Sequence, residues 1–212
     1  PGTHEKSIIA CQMTIDHETI HFDFSKSSDQ VQGPINAVRS IVDSAVYYVC
    51  RTLWPADIPH NGGANRPLKV STRPGSLVDA LKPAGIVGGN VETSQRLVDV
   101  LFGTFATVLP GKVPAASQGT MNNLTIGGLD HRGQPYSYYE TIGGGHGAHA
   151  DGAGLSGRQS HMTNTRNTPI EAIEQVFPFW IQTSRLREKS GGKGLYEGGD
   201  GLIRTYAFEK EA

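Results

Sequence analysis

Glycine and proline constrain this chain more than any other feature of its sequence. Its 212 residues include 27 glycines and 12 prolines. Glycine admits backbone angles closed to other residues, and proline removes an N–H and stops helices. No three-residue glycine period exists, so the chain is not collagen-like. Apolar, β-branched and aromatic segments recur between the glycines, which argues against simple disorder. A chain of this length buries roughly 70% of the surface it exposes when unfolded. The expectation is therefore one compact, loop-rich domain over residues 1–212, with many tight turns.

Lys and Arg total 19 against 20 Asp and Glu, a formal net charge of −1. That balance argues against a nucleic-acid-binding or polybasic membrane-surface protein, because counterion release needs a clustered positive face. No run approaches the ~18 apolar residues of a membrane span. Cys11 and Cys50 are too few for a disulfide scaffold. Both sit in apolar segments and read as buried free thiols of a cytoplasmic protein. The chain opens Pro-Gly-Thr-His, without Met or a basic-plus-apolar leader, as expected of a fragment of a longer polypeptide.

The first elements read as a β-hairpin: a strand over 7–15, a turn at Asp16-His17, and a strand over 18–24 with Ile20, Phe22 and Phe24 on one face. A helix is predicted from about 36 to 53 and ends at Trp54-Pro55. A loop over 55–67 precedes a short strand near 68–71. A second helix has Asn90 as N-cap, Glu92 in its first turn, and an apolar stripe of Leu97, Val98, Leu101, Phe102, Phe105 and Val108. A third starts at Thr168-Pro169-Ile170-Glu171, with Thr168 as N-cap and Glu171 closing a capping box. Strands are predicted over 136–142, 158–164, 179–187 and 202–208. Three helices that do not alternate with the strands indicate an α+β fold, its mixed or mostly antiparallel sheets packed with about three helices and joined by glycine-rich loops.

Four segments have the composition of a binding site. In Gly88-Gly89-Asn90-Val91-Glu92-Thr93-Ser94-Gln95-Arg96, glycines lead into a helix N-terminus, whose free N–H groups suit an anion or a carbonyl. A tight turn before an ordinary helix explains the same residues. The amide-rich run 115–123 is either a ligand-binding strip or a polar connection into a strand. The run Gly143, Gly144, Gly145, His146, Gly147, Ala148, His149, Ala150, Asp151 offers two imidazoles and a carboxylate to a metal. Its glycine flanks favour instead a flexible loop closing over a neighbouring site. It lacks the Gly-Lys-Ser/Thr ending of a phosphate loop. Finally, Asn164, Arg166 and Asn167 lie between a predicted strand and a capped helix, where binding groups concentrate; turn-satisfying asparagines and a solvated arginine are the plainer reading.

Five strings carry a family resemblance. They are Gly33-Pro34-Ile35-Asn36-Ala37, Val87-Gly88-Gly89-Asn90-Val91-Glu92-Thr93-Ser94-Gln95-Arg96, Pro114-Ala115-Ala116-Ser117-Gln118-Gly119-Thr120-Met121-Asn122-Asn123, Tyr138-Tyr139-Glu140-Thr141-Ile142-Gly143-Gly144-Gly145 and His161-Met162-Thr163-Asn164-Thr165-Arg166-Asn167-Thr168-Pro169. In this order they resemble the hydantoinase B/5-oxoprolinase family over nearly the whole chain.

The resemblance implies ATP-dependent chemistry shared between subunits. An A-type partner uses ATP and magnesium to activate a lactam or carbonyl, and the B-type subunit completes hydrolysis of a hydantoin or 5-oxoproline ring. In the acetone carboxylase branch the outcome is carboxylation of a ketone. It also implies a divalent metal held by His and acidic residues of an N-terminal part that lies outside this chain, so no metal ligand is assigned here. The expected substrate-binding set is Asn90, Glu92, Gln95 and Arg96 on one wall and Asn164, Arg166 and Asn167 on the other. Gly143, Gly144, Gly145 and His146 would form a flexible lip. Two alternatives remain at this point: a fragment of a ketone carboxylase alpha subunit, and a non-catalytic assembly module for the A-type partner.

Overall fold

The computed structural model describes residues 6–208. The chain divides into two compact units, the first ending at Thr120 and the second beginning at Met121.

In the first unit, strands β1 (Gln12–Ile15) and β2 (Ile20–Asp23) form the expected antiparallel hairpin. Helix α1 (Arg39–Leu53) then carries the chain across to β3 (Leu68–Ser71), which pairs with β2 in parallel. Period-2 alternation puts Phe22 on the inner face, fully buried, with Phe24 following it just beyond the strand. Helix α2 (Thr93–Ala106) packs there, its Phe105 ring 5.8 Å from Phe22. Buried Leu97, Val98, Leu101 and Phe102 continue its stripe, and Val42, Val46 and Val49 supply that of α1. Each fully buried aliphatic or aromatic side chain contributes about 1.5–3 kcal/mol.

Helix α1 starts three residues later than the sequence suggests, because Asn36 and Ala37 have other partners. The Ala37 N–H donates to Leu77 O at 2.7 Å, and its carbonyl accepts from Ala80 N at 3.0 Å. The Asn36 side chain, fully buried, accepts from Val31 N and donates to the carbonyls of Val31, Gly33 and Gly85. Behind it, a 3-10 turn (Val87–Gly89) leads toward α2. Gly89 lies so close to Asn36 that a Cβ there would stand 2.1 Å from the Asn36 carbonyl oxygen. The strings over 33–37 and 87–96 thus meet in one backbone-to-backbone contact.

The second unit holds two antiparallel hairpins, β4 (Asn123–Leu129) with β5 (Pro135–Thr141) and β6 (Phe179–Arg187) with β7 (Gly201–Phe208), and the short helix α3 (Ile170–Val176). Tyr138, Ile173, Phe179 and Ile181 form its core. The Tyr138 and Phe179 rings meet edge-to-face at 5.4 Å. The predicted strand over 158–164 is absent. Arg158 exchanges both backbone hydrogen bonds with Gly144, and His161, at φ 54°, then turns the chain. Among the described residues, three α-helices and three small sheets make the α+β architecture that the sequence indicates.

Replacing the fully buried Asn36 with Ala removes the side-chain partner of four backbone groups, Val31 N–H and the carbonyls of Val31, Gly33 and Gly85. Chemical denaturation is expected to show a loss of about 3 kcal/mol or more. A second expectation concerns Asp200, whose carboxylate accepts N–H bonds from Gly191 and Ser190 at 2.9 and 2.8 Å and is thereby held below the usual carboxylate range. A carboxyl with a lowered native pKa stabilises the fold above its unfolded value and stops doing so as pH falls through the native one. Hydrogen-exchange protection of the Ser190 and Gly191 amides should therefore hold through the usual carboxylate range and be lost only as pH falls below it, a dependence that Asp200→Asn abolishes.

Candidate functional site

The predicted site residues fall into both units, and each group is described within its own. In the first, the N-terminus of α2 differs from expectation. Its cap is Glu92, without a side-chain capping bond, and Asn90 instead ends the 3-10 turn. The reason is local: the Glu92 N–H already donates to Gly88 O at 2.8 Å, so the chain is coiled before the helix begins. Asn90 keeps an exposed side chain, while its carbonyl accepts Ser94 Oγ at 2.5 Å. Gln95 is fully buried. Arg96 projects outward, its side chain 55% exposed and 4.0 Å from the Asp99 carboxylate.

The amide-rich run, read in the sequence as a segment of its own, lies along this same helix. Ser117 donates its N–H to Asp99 at 3.0 Å and its hydroxyl at 3.4 Å. Thr120 Oγ1 donates to Glu92 at 2.5 Å. Glu92, Arg96, Asp99, Ser117 and Thr120 therefore form one cluster. Asp99 was not foreseen. Its signal was a polar residue within the helix, one turn beyond Gln95 and Arg96 and two beyond Glu92.

In the second unit, Asn167 joins two predicted segments, because its Oδ1 accepts the Gly143 N–H at 2.9 Å. Thr141 and Thr165 hydroxyls meet at 2.6 Å. Arg166 is exposed between these ties, and Asn164 is exposed just before them. The glycine run predicted as a flexible lip is buried at Gly143, Gly144 and Gly145. It is bonded through its backbone, Gly144 to Arg158 and His146 to Leu155 and Gly199. The His146 ring is within 2.7 Å of Gln159 O, so it serves the loop. Among the described residues, no group of three or more His, Cys, Asp or Glu could hold a metal ion.

What fixes the 163–168 segment is a buried ion pair that sequence reasoning missed. Glu140 on β5 and Arg204 on β7 lie 2.7 Å apart with side chains 2% and 3% exposed. Glu140 also accepts Thr168 N–H at 2.8 Å and Tyr206 OH at 3.1 Å, and Arg204 donates to Thr168 O at 3.1 Å. Burial, reinforced by the Glu140 charge, pushes the Tyr206 hydroxyl pKa well up. With both backbone groups of Thr168 engaged, the expected capping box does not form; α3 begins at Ile170 with Pro169 as an uncapped N-cap. The only advance signals were polar positions at 140 and 204 inside otherwise strand-like runs.

The chain matches Hydantoinase B/oxoprolinase over residues 2–212. It belongs to that family. It is 44% identical over 206 residues to 5-oxoprolinase 1 of Arabidopsis thaliana, a match covering 96% of this chain and 15% of that protein. Among solved structures, ATP-dependent caprolactamase from Pseudomonas jessenii has a TM-score of 0.78 at 25% identity, covering 95% of this chain and 36% of that one. Nucleotide-free acetone carboxylase has a TM-score of 0.80 at 21% identity over 92% of this chain and 27% of its own, a likeness of fold. The chain thus spans well under half the length of these relatives.

The buried pair has a measurable consequence. Arg204→Ala leaves the Glu140 charge buried without its main partner, which costs about 3–5 kcal/mol. Thermal or denaturant unfolding should show that loss, with hydrogen-exchange protection lost first at Thr168.

Proposed function

We propose that this chain is part of the B-type subunit of an ATP-dependent cyclic amide hydrolase that opens a hydantoin or 5-oxoproline ring together with an A-type partner. The observation that carries this reading is the 44% identity to a 5-oxoprolinase over 206 residues. The fold shared with an ATP-dependent caprolactamase supports it, since a caprolactam is also a cyclic amide. ATP and magnesium belong to the partner in this reading, and a divalent metal to a part of the subunit outside this chain.

The chemistry needs donors where charge develops. Attack on a ring carbonyl, or on its phosphorylated form, places negative charge on oxygen, and pre-placed N–H donors stabilise that charge. In the first unit Arg96, with Asn90 and Glu92, is the set assigned to meet substrate, and the fully buried Gln95 can only support it from within the helix. In the second unit Arg166, with Asn164 and Asn167, is assigned as a separate set. Gly143 supports the second group through its contact with Asn167, and Gly144, Gly145 and His146 continue the loop that holds Gly143 in place.

The test uses the full-length subunit with its partner, assayed for ATP-dependent opening of 5-oxoproline with and without bicarbonate. Ring opening independent of bicarbonate is expected. Arg96→Ala and Asn164→Ala should each lower kcat/KM at least about tenfold, roughly 1.4 kcal/mol of transition-state stabilisation, with little change in melting temperature. Wild-type turnover in both variants would remove the site assignment, and ATP consumption that requires a ketone and bicarbonate would replace the hydrolase with a carboxylase.

A further inference from the structure

Arg96 carries a long, mobile side chain, yet its ion pair with Asp99 is loose at 4.0 Å and more than half of the side chain is exposed. Such a contact contributes little to order. A second element constrains the guanidinium. The 115–120 segment is fastened to α2 at two points, Ser117 on Asp99 and Thr120 on Glu92. Gly119 lies between these fastenings, its N–H donating to Ser117 Oγ at 3.1 Å, in the left-handed region at φ +77°. A Cβ built at Gly119 would stand 2.1 Å from Arg96 Nη1, 2.2 Å from Cζ and 2.7 Å from Nη2. The guanidinium therefore occupies the space that any other residue at 119 would fill.

We propose that Gly119 is a positioning residue: its missing side chain forms the seat that aims the Arg96 guanidinium at an anionic or carbonyl group of the substrate. The two fastenings set the height of that seat. Ser117 and Thr120 hold the strap one turn to either side of Arg96, and the bare Cα between them faces the guanidinium. A guanidinium is planar by resonance, so fixing its tilt at Gly119 fixes the direction of all its N–H donors, which suits paired contacts to a carboxylate. The proposal rests on the reading above that Arg96 meets substrate.

The experiment separates the seat from the backbone requirement. Gly119→Ala and Gly119→Asn both add a Cβ, and Asn tolerates the left-handed backbone. Each is made in the full-length subunit, with Arg96 intact and with Arg96→Ala, and assayed with 5-oxoproline and the partner. With Arg96 intact, KM should rise about tenfold while kcat stays within about twofold; in the Arg96→Ala background the same changes should move KM less than about twofold. An equal shift in both backgrounds, or no shift where Arg96→Ala itself raises KM, overturns the proposal. A crystal structure of Gly119→Asn gives a readout independent of activity. Displacement of the guanidinium is expected, and an unmoved guanidinium overturns the seat. Wild-type kinetics in Arg96→Ala alone would instead refute the substrate role of Arg96, and the proposal with it.

Discussion

Two stretches of backbone approach to contact only where one of them lacks a side chain, and both units of this chain are built round such approaches. In the first, Gly89 meets the Asn36 carbonyl, and that contact sets where the 3-10 turn ends and α2 begins. In the second, a Cβ on Gly145 would stand 2.0 Å from the Gly199 carbonyl oxygen. Hydrogen bonds then stitch residues 144–157 to 197–200, with Gly154 on Glu197 and Gly157 on Asp200. The glycines that look like flexibility in the sequence are, in the fold, the condition for close backbone packing.

Charge does in the second unit what glycine cannot. The Glu140–Arg204 pair joins the two hairpins and reaches Thr168, so the segment bearing Asn164 and Arg166 is held from beneath by buried, multiply bonded groups. Isolated burial of either charge would be prohibitive. The arrangement works because Glu140 accepts from a guanidinium, a hydroxyl and an amide together. An exposed polar edge resting on a rigid support is the geometry expected of a binding surface.

Much of the fold was legible because it is periodic. Strands β2, β3, β6 and β7 and the stripe of α2 lie close to where alternation and helical spacing place them, whereas β1 begins at Gln12, five residues later than the strand predicted over 7–15. Other departures have a common cause. Asn36, Glu92, Thr168 and Arg158 each bond a residue distant in the chain or a turn already formed, and those bonds outweigh local preference for a cap or a strand. Strand β5 lies where the sequence predicts a strand over 136–142, but its partner β4 is not given by the sequence although Asp130 and Gly133 mark the turn between them, because Gly127 and Gly128 interrupt the strand signal.

By itself the sequence determined which residues are apolar at regular intervals, where the backbone is freed or stopped, and which strings tie the chain to its family. The tertiary structure alone decided that the amide-rich run lies along α2 and that Asn167 faces Gly143, as it alone paired Glu140 with Arg204. Periodicity is a property of neighbours along the chain. These pairings join residues 18 to 64 positions apart, and they depend on which surfaces meet once the core has closed.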